Sequence, residues 1–130
     1  MSLERKAHNS DAAPPAVGPY SHAVSANGFL YASGQLGLAA DGSGLVEGGV
    51  EAQARQALNN LAEVAKAGGA TLADAVKVNV YLTDMADFQA VNSIYSEFFP
   101  GDEPPARAAI GVSQLPLGGL VEVDAVFVLA

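Results

Sequence analysis

The chain has 130 residues, no cysteine and 50% hydrophobic residues, which suits a single domain over residues 1–130 and excludes a disulfide-stapled fold. Its formal net charge of −8, from 14 acidic and 6 basic side chains, disfavours a nucleic-acid partner, because a surface that binds phosphates needs clustered cations. No segment approaches the roughly 18 apolar residues of a membrane span, and the N-terminus lacks an apolar signal sequence. We therefore expect a cytoplasmic protein without membrane contact, with residues 1–13 as a flexible N-terminus.

The first half of the chain predicts a hairpin followed by a helix. Asn27-Gly28 fits the positive φ angles of a two-residue turn, which predicts strands at 20–26 and 29–35. From Val50 onward, apolar residues recur at i, i+4, i+7 and i+8 until Gly68-Gly69. This spacing, ended by glycine, is typical of an amphipathic helix.

The second half predicts a strand, a second helix and two further strands. Alternating valines and a leucine predict the strand at 75–82. Asp84 suits a helix N-cap and Pro100 a helix stop, and the apolar residues between them recur at helical spacing. Two apolar segments after this helix predict strands at 106–112 and 120–128.

The order of predicted elements, ββαβαββ, is typical of an α+β fold in which a mixed sheet of about six strands carries two helices on one face. Both faces of the last predicted strand are largely apolar, since only Glu122 and Asp124 interrupt it. Two helices can cover one face of such a sheet. We therefore expect the other face to be covered by self-association into a homo-oligomer.

Arg107 is the only positively charged side chain in the last third of the chain. On the predicted strand 106–112 its neighbours on the same face are small, among them Ala109, and leave room for a planar anion held by two parallel hydrogen bonds. A guanidinium is also costly to bury without an anion beside it. Two interpretations stay open, a ligand-binding arginine or a structural ion pair with Glu122 or Asp124.

Glu122 lies within the apolar segment GLVEVDAVFV, where a carboxylate is unusual unless it is paired or functional. Burial would raise its pKa toward the range in which it can handle a proton or orient a water. Pairing with Arg107 is the equal alternative. Two histidines without cysteine or H-x-x-x-H spacing predict no metal site, and the glycines match no phosphate-binding loop.

Several ordered motifs resemble the RidA (reactive intermediate deaminase, YjgF) family. PPARAAIGVSQLPLGGLVEVDAVFV resembles the family's signature of Pro-Ala-Arg followed by a Leu-Val-Glu-Val-like stretch. GPYSHAV, YASGQLG, EAQARQALNNLAEV and DFQAVNSIYSEFF precede it in the family's order, so the resemblance extends from about Pro14 to Ala130. It implies a chorismate-mutase-like subunit and a homotrimer in which three sheets form a central barrel, with ligand sites between subunits.

The resemblance also implies an activity without a cofactor, the hydrolysis of 2-imino acids or their enamine tautomers, such as 2-iminobutanoate and 2-iminopropanoate, to 2-keto acids and ammonia. By position, Arg107 matches the arginine that binds the substrate carboxylate, and Glu122 the glutamate that holds the attacking water. Gly34 would allow close backbone approach to the ligand. The other residues that match the family's cleft are Tyr20, Ser33, Asn92 and Ala109, the last at a position where the archetype often carries cysteine.

On the residues alone, a tyrosine such as Tyr20 is more often a packed aromatic than a ligand contact, and Asn92 could equally be a solvated polar residue. A trimer that binds keto acids without turning them over would use the same Arg107, so the sequence leaves this binding module open as the alternative function. A ribonuclease or translation-inhibitor role is disfavoured by the charge of −8. A holdase role is disfavoured because a trimer would bury its apolar surface.

Overall fold

The computed structural model describes residues 4–130. Three strands lead into a long helix, which is followed by a strand, a shorter helix and two more strands. These elements are β1 (Arg5–His8), β2 (Ala23–Ala26), β3 (Phe29–Leu36), α1 (Gly49–Ala67), β4 (Ala75–Leu82), α2 (Phe88–Phe98), β5 (Ala106–Gly111) and β6 (Val121–Val128). Single 3₁₀ turns lie at Leu72–Asp74, Met85–Asp87 and Pro116–Gly118.

The six strands form one mixed sheet in the order β1-β2-β3-β6-β4-β5. β4 and β5 are parallel and are connected through α2, as a parallel pair requires a crossover, whereas every other neighbouring pair is antiparallel. The predicted α+β class, a six-stranded mixed sheet with two helices, is confirmed. β5 lies at one edge of the sheet, so Arg107 is carried by an edge strand.

The N-terminal segment differs from the prediction. The sequence predicts flexibility over residues 1–13, but β1 occupies Arg5–His8 and pairs with β2, so the element order is βββαβαββ. Residues 1–3 lie outside the described part of the chain. β1 is exposed along most of its length and carries no apolar alternation, so no periodicity predicts it. β2 is also shorter than the predicted strand at 20–26.

The helices cover one face of the sheet. Alternate residues of β6 from Val121 to Phe127 are buried together with Val78, Val80 and Leu82 of β4. The apolar stripes of α1 and α2 join them in one core, where the largest buried apolar side chains of α1 are Leu58, Leu61 and Val64. No helix within residues 4–130 combines the length and apolarity needed to cross a bilayer.

The other face of the sheet is open in the single chain. The strand registers place Glu122 and Asp124 on it, together with three apolar side chains. These three, Tyr31, Ile110 and Val128, are 51%, 49% and 44% exposed. A half-polar, half-apolar sheet face of this kind is a surface suited to an interface.

Candidate active site

α2 presents three residues to Arg107. Phe88, Asn92 and Tyr95 are spaced i, i+4 and i+7, so they lie along one side of the helix. Arg107 Nη1 donates to Asn92 Oδ1 at 2.6 Å. The guanidinium carbon lies 5.5 Å from the centre of the Phe88 ring and 4.7 Å from that of Tyr95, both within cation–π range. The arginine is therefore held by two aromatic faces and one neutral amide.

No carboxylate within residues 4–130 pairs with Arg107, and the ion pair that this part of the chain contains joins Arg55 to Glu97 on the surface at 3.0 Å. The β4–β5 register sets Arg107 beside Val78, on the face that the helices cover, whereas the β4–β6 register sets Glu122 beside Tyr81 on the open face. The ion pair of Arg107 with Glu122 or Asp124, left open by the sequence, does not form within the chain. The positive charge is thus available to an external anion.

A cavity of about 380 Å³ opens beside Arg107. Its volume is within the usual range for small-molecule sites. Asn92 accepts from one of the five guanidinium N–H groups, and the remaining donors allow the paired hydrogen bonds that a carboxylate takes. The residues that line it are Asn92, Tyr95, Ser96, Phe99, Pro104, Pro105 and Arg107.

Glu122 lies against Gly34 on the open face. The register between β3 and β6 shifts between Ala32 and Gln35, and this bulge brings Gly34 under the glutamate side chain. A Cβ atom at position 34 would overlap Glu122 Oε2. The resemblance implies that Gly34 approaches a ligand, and the structure gives it a contact with Glu122 as well.

The surroundings of Glu122 on the open face shift its pKa upward. Burial raises the pKa of Glu122, and the neighbouring Asp124 raises it further. Both oxygens of Asp124 already accept hydrogen bonds, from Asn79 Nδ2 at 2.8 Å and from the Tyr81 hydroxyl at 2.9 Å. Of the two carboxyl groups, Glu122 is the one placed to exchange a proton with a ligand.

A second cavity, of about 240 Å³, brings Tyr20, Gly34 and Glu122 together. Its wall includes residues of the Pro14–Pro15 segment and of the loop before β6. Ser33, also predicted for the site, does not line this cavity. Its hydroxyl donates to the Ser21 carbonyl at 2.6 Å, which ties β3 to the segment before β2.

The buried His22 has a structural role in this wall that the sequence did not reveal. Its Nδ1 accepts from the Ser10 N–H at 2.9 Å, so the Nε2 that lies 2.8 Å from the Pro14 carbonyl is the donor. These bonds fix the segment before β2 against the sheet, next to Glu122. A single histidine after a proline-rich stretch offers no spacing from which this could be predicted.

The predicted site residues thus form two groups on opposite faces of the sheet. Asn92 and Arg107 lie on the side of the helices, where the register also places Ala109, whose side chain packs against the core. Tyr20 and Glu122, with Gly34, lie around the cavity of the open face. One small ligand cannot contact both groups within a single chain.

Comparison with known proteins agrees with this fold. The family model described as Endoribonuclease L-PSP matches residues 10–129. A 2-iminobutanoate/2-iminopropanoate deaminase from Mus musculus is 47% identical over 127 residues, which cover 98% of this chain and 93% of the relative.

Two crystal structures share the fold over almost their whole length. RidA from the Antarctic bacterium Psychrobacter sp. PAMC 21119 has a TM-score of 0.90 at 40% identity, covering 95% of this chain and 99% of its own. E. coli TdcF with bound serine has a TM-score of 0.90 at 31% identity, covering 96% and 99%. Since the family model and a relative at 47% identity each match almost the whole chain, the chain belongs to the RidA/YjgF/L-PSP family.

Proposed function

We propose that the protein is a deaminase that hydrolyses 2-iminobutanoate and 2-iminopropanoate to 2-keto acids and ammonia. Its full-length similarity to a deaminase of that name supports the reaction and the substrate class. The observation that carries the proposal is the guanidinium of Arg107, which has no carboxylate partner within residues 4–130 and opens onto a cavity of about 380 Å³. A cytoplasmic location, expected from the composition, belongs to the same proposal.

The proposal includes a homotrimer whose sites lie between subunits. The separation of Arg107 from Glu122 supports it, because a neighbouring copy can bring its own Glu122 to the edge strand that carries Arg107. The exposed apolar side chains of the open face support it as well, since contact between copies would bury them. Three such sheets would enclose a central barrel.

In the proposed reaction Arg107 orients the substrate. Its free N–H groups hold the carboxylate of the 2-imino acid by two parallel hydrogen bonds, while Asn92 keeps the fork from rotating. This fixes the position of the imine carbon, which is bonded directly to the carboxylate carbon. Orientation is the main contribution, because imines hydrolyse in water without a strong catalyst.

Glu122 of the neighbouring copy handles the protons. Burial raises the pKa of Glu122, and in its protonated form Glu122 donates to the imine nitrogen and makes the imine carbon more electrophilic. The resulting carboxylate, together with the backbone carbonyl of Ala109, aligns a water that adds to this carbon and gives up a proton. Glu122, which has taken the proton of the water, passes it to the amino nitrogen. The C–N bond of the tetrahedral adduct then breaks, ammonia leaves, and the hydroxyl group gives its proton to Glu122 as the C=O bond of the 2-keto acid forms.

The test couples the protein to a threonine dehydratase, which releases 2-iminobutanoate, and uses semicarbazide to trap imine that has not been hydrolysed. Wild-type protein should raise formation of 2-oxobutanoate at the expense of the trapped product. Arg107→Ala and Arg107→Lys should both lose most of this effect, since lysine cannot reproduce the paired hydrogen bonds. Arg55→Ala, which removes an exposed cation outside both cavities, serves as the matched control.

Two results would contradict the proposal. Saturable binding of 2-oxobutanoate by the wild type without faster loss of the imine would show a binding module in place of an enzyme. Wild-type turnover in Arg107→Lys would show that a point charge suffices, and would remove the bidentate role of Arg107.

A further inference from the structure

We propose that Phe88 and Tyr95 are positioning residues for Arg107. Their ring faces fix the guanidinium without neutralising it, so that its full charge and its N–H edge remain available to a ligand carboxylate. This inference rests on the proposed function of the same site. It adds two residues whose apolar, helical spacing otherwise marks them only as members of the core.

The chemistry of the contacts explains why rings are suited to this task. A carboxylate beside Arg107 would hold it firmly but would compete with the substrate for the same donors. An aromatic face attracts the cation through its quadrupole and uses none of the N–H groups. With Phe88 at 5.5 Å, Tyr95 at 4.7 Å and a single amide oxygen on Nη1, Arg107 is constrained by three neutral partners.

Packing sets the position of the Tyr95 ring. The side chain is only 6% exposed, and its ring centre lies 4.5 Å from that of Phe99. Its hydroxyl is buried and has no hydrogen-bond partner within residues 4–130, so no polar contact there holds the ring in place. Phenylalanine at this position should therefore orient Arg107 as well as tyrosine does.

A purely structural role for the two rings makes a different prediction. If they only join α2 to β5, their truncation would lower the melting temperature and the amount of folded protein, while the molecules that remain folded would bind and turn over normally. If they position Arg107, folded protein would bind carboxylates more weakly, and its turnover at saturation would also fall because Arg107 orients the imine carbon. The dissociation constant, KM and kcat of the folded protein therefore distinguish the two roles.

The experiment measures the Kd of 2-oxobutanoate by calorimetry, together with KM and kcat for imine hydrolysis. Tyr95→Leu should weaken binding about 3- to 30-fold, the range expected for losing a partly desolvated cation–π contact, and should also lower kcat. Phe88→Leu should act in the same direction but less, since its ring is farther from the guanidinium. Tyr95→Phe should restore wild-type binding.

Phe98→Leu is the matched control, because it shortens an aromatic side chain on the same helix that does not line the Arg107 cavity. It should leave the Kd unchanged. Phe88 is less buried than Tyr95, so Phe88→Leu tests the inference even if Tyr95→Leu fails to fold.

The outcomes separate this inference from the proposed function. Wild-type Kd and KM in both leucine variants, with imine hydrolysis intact, would overturn the positioning role and leave the deaminase proposal standing. If the leucine variants bound 2-oxobutanoate more weakly than the wild type but the wild type hydrolysed no imine, the deaminase proposal would be overturned and the positioning role supported. Failure of the wild type to bind 2-oxobutanoate would overturn both.

Discussion

Asn92 is the partner of Arg107 that can be altered with the smallest change of shape. Asn92→Asp keeps the size of the side chain but places a carboxylate 2.6 Å from Nη1, where it would form an ion pair and compete with the substrate. We expect the Kd of 2-oxobutanoate to rise about tenfold or more, since hydrogen bonds to charged groups contribute about 1.5–3 kcal/mol. Calorimetry at constant ionic strength measures this change.

The control for Asn92→Asp is Asn92→Ala, which loses the hydrogen bond but leaves the charge free. It should weaken binding less than Asn92→Asp does. If Asn92→Asp bound 2-oxobutanoate as tightly as Asn92→Ala or more tightly, a neutral partner beside the guanidinium would be unimportant. Asn92 would then serve only to link α2 to β5.

Glu122 should reduce the stability of the folded protein at neutral pH. Its pKa in the folded state is raised by burial and by Asp124, so folding is favoured when the carboxyl is protonated. Below about pH 4 the Glu122 carboxyl is protonated in both the folded and the unfolded chain, so it does not reduce the free energy of unfolding. As pH rises through the raised pKa, the folded state must ionise a partly buried group, and stability falls.

Glu122→Gln should therefore resist urea better than the wild type at pH 7, and the difference should shrink toward pH 4. Unfolding curves at a series of pH values provide the measurement. Glu97→Gln is the control, and its effect on stability at pH 7 should have the opposite sign. The hydrogen bond from Arg55 lowers the pKa of Glu97, so the folded state favours the ionised carboxylate. A wild type that is as stable as Glu122→Gln at pH 7 would show that Glu122 is not desolvated in the assembled protein.

At the scale of elements, the bulge in β3 sets the position of the proton-handling group. Gly34→Ala would place a methyl group where Glu122 Oε2 lies, and the flexible carboxylate would turn away. We expect a large loss of kcat for imine hydrolysis, with the Kd of 2-oxobutanoate little changed because Arg107 lies on the other face. Gly101→Ala, at an exposed and uncrowded loop position, should retain wild-type kinetics.

Unchanged kcat in Gly34→Ala would remove Glu122 from the reaction. A crystal structure or a pH–rate profile of the variant would then show whether the carboxylate had kept its place. Loss of binding and turnover together would instead indicate that the bulge supports the whole cleft and not Glu122 alone.

The elements differ in how far the sequence predicts them. β4 matches its predicted bounds, because four alternating apolar residues between turn signals leave few other registers, and α1 and α2 follow the predicted apolar spacing. Asp84 caps the 3₁₀ turn at Met85–Asp87 and not α2 itself, which begins one turn later. β1 was not predicted, because an exposed edge strand needs neither alternating apolar residues nor β-branched residues.

For the candidate site, the sequence indicates which residues to consider but not how they are arranged. Arg107 and Glu122 stood out as charges within apolar segments, a signal that the sequence carries directly. Their placement on opposite faces depends on the parallel register of β4 with β5 and the antiparallel register of β4 with β6, which no single segment encodes. Phe88 and Tyr95 gave only the helical spacing of core residues, so their contact with the cation was missed.

At the scale of the whole molecule, the proposed assembly predicts complementation between two inactive variants. Arg107→Ala supplies an intact Glu122, and Glu122→Gln supplies an intact Arg107. If each cleft takes one residue from each of two copies, a mixed trimer contains one cleft with both residues intact. Each mixed trimer has one repaired cleft in three, so trimers purified through both tags should show about a third of wild-type activity.

Co-expression with two different affinity tags gives the mixed trimers, and activity per trimer is measured after tandem purification. Each variant purified alone is the control and should remain inactive. No recovery in trimers shown to be mixed would place both residues of a cleft in the same chain, against the division seen between the two faces of the sheet. Sedimentation of the wild type as a monomer would contradict the trimer itself.

The division of the site between an edge strand and a sheet face also bears on how this protein can evolve. In the proposed trimer, the residues that shape the cleft are the residues through which copies recognise one another. A substitution that widens the range of substrates would alter the affinity between subunits, and a substitution that weakens assembly would abolish the activity of the shared cleft. After gene duplication, a diverging copy would still assemble with its parent unless both surfaces changed together, so new specificity and new partnership would have to arise in the same lineage.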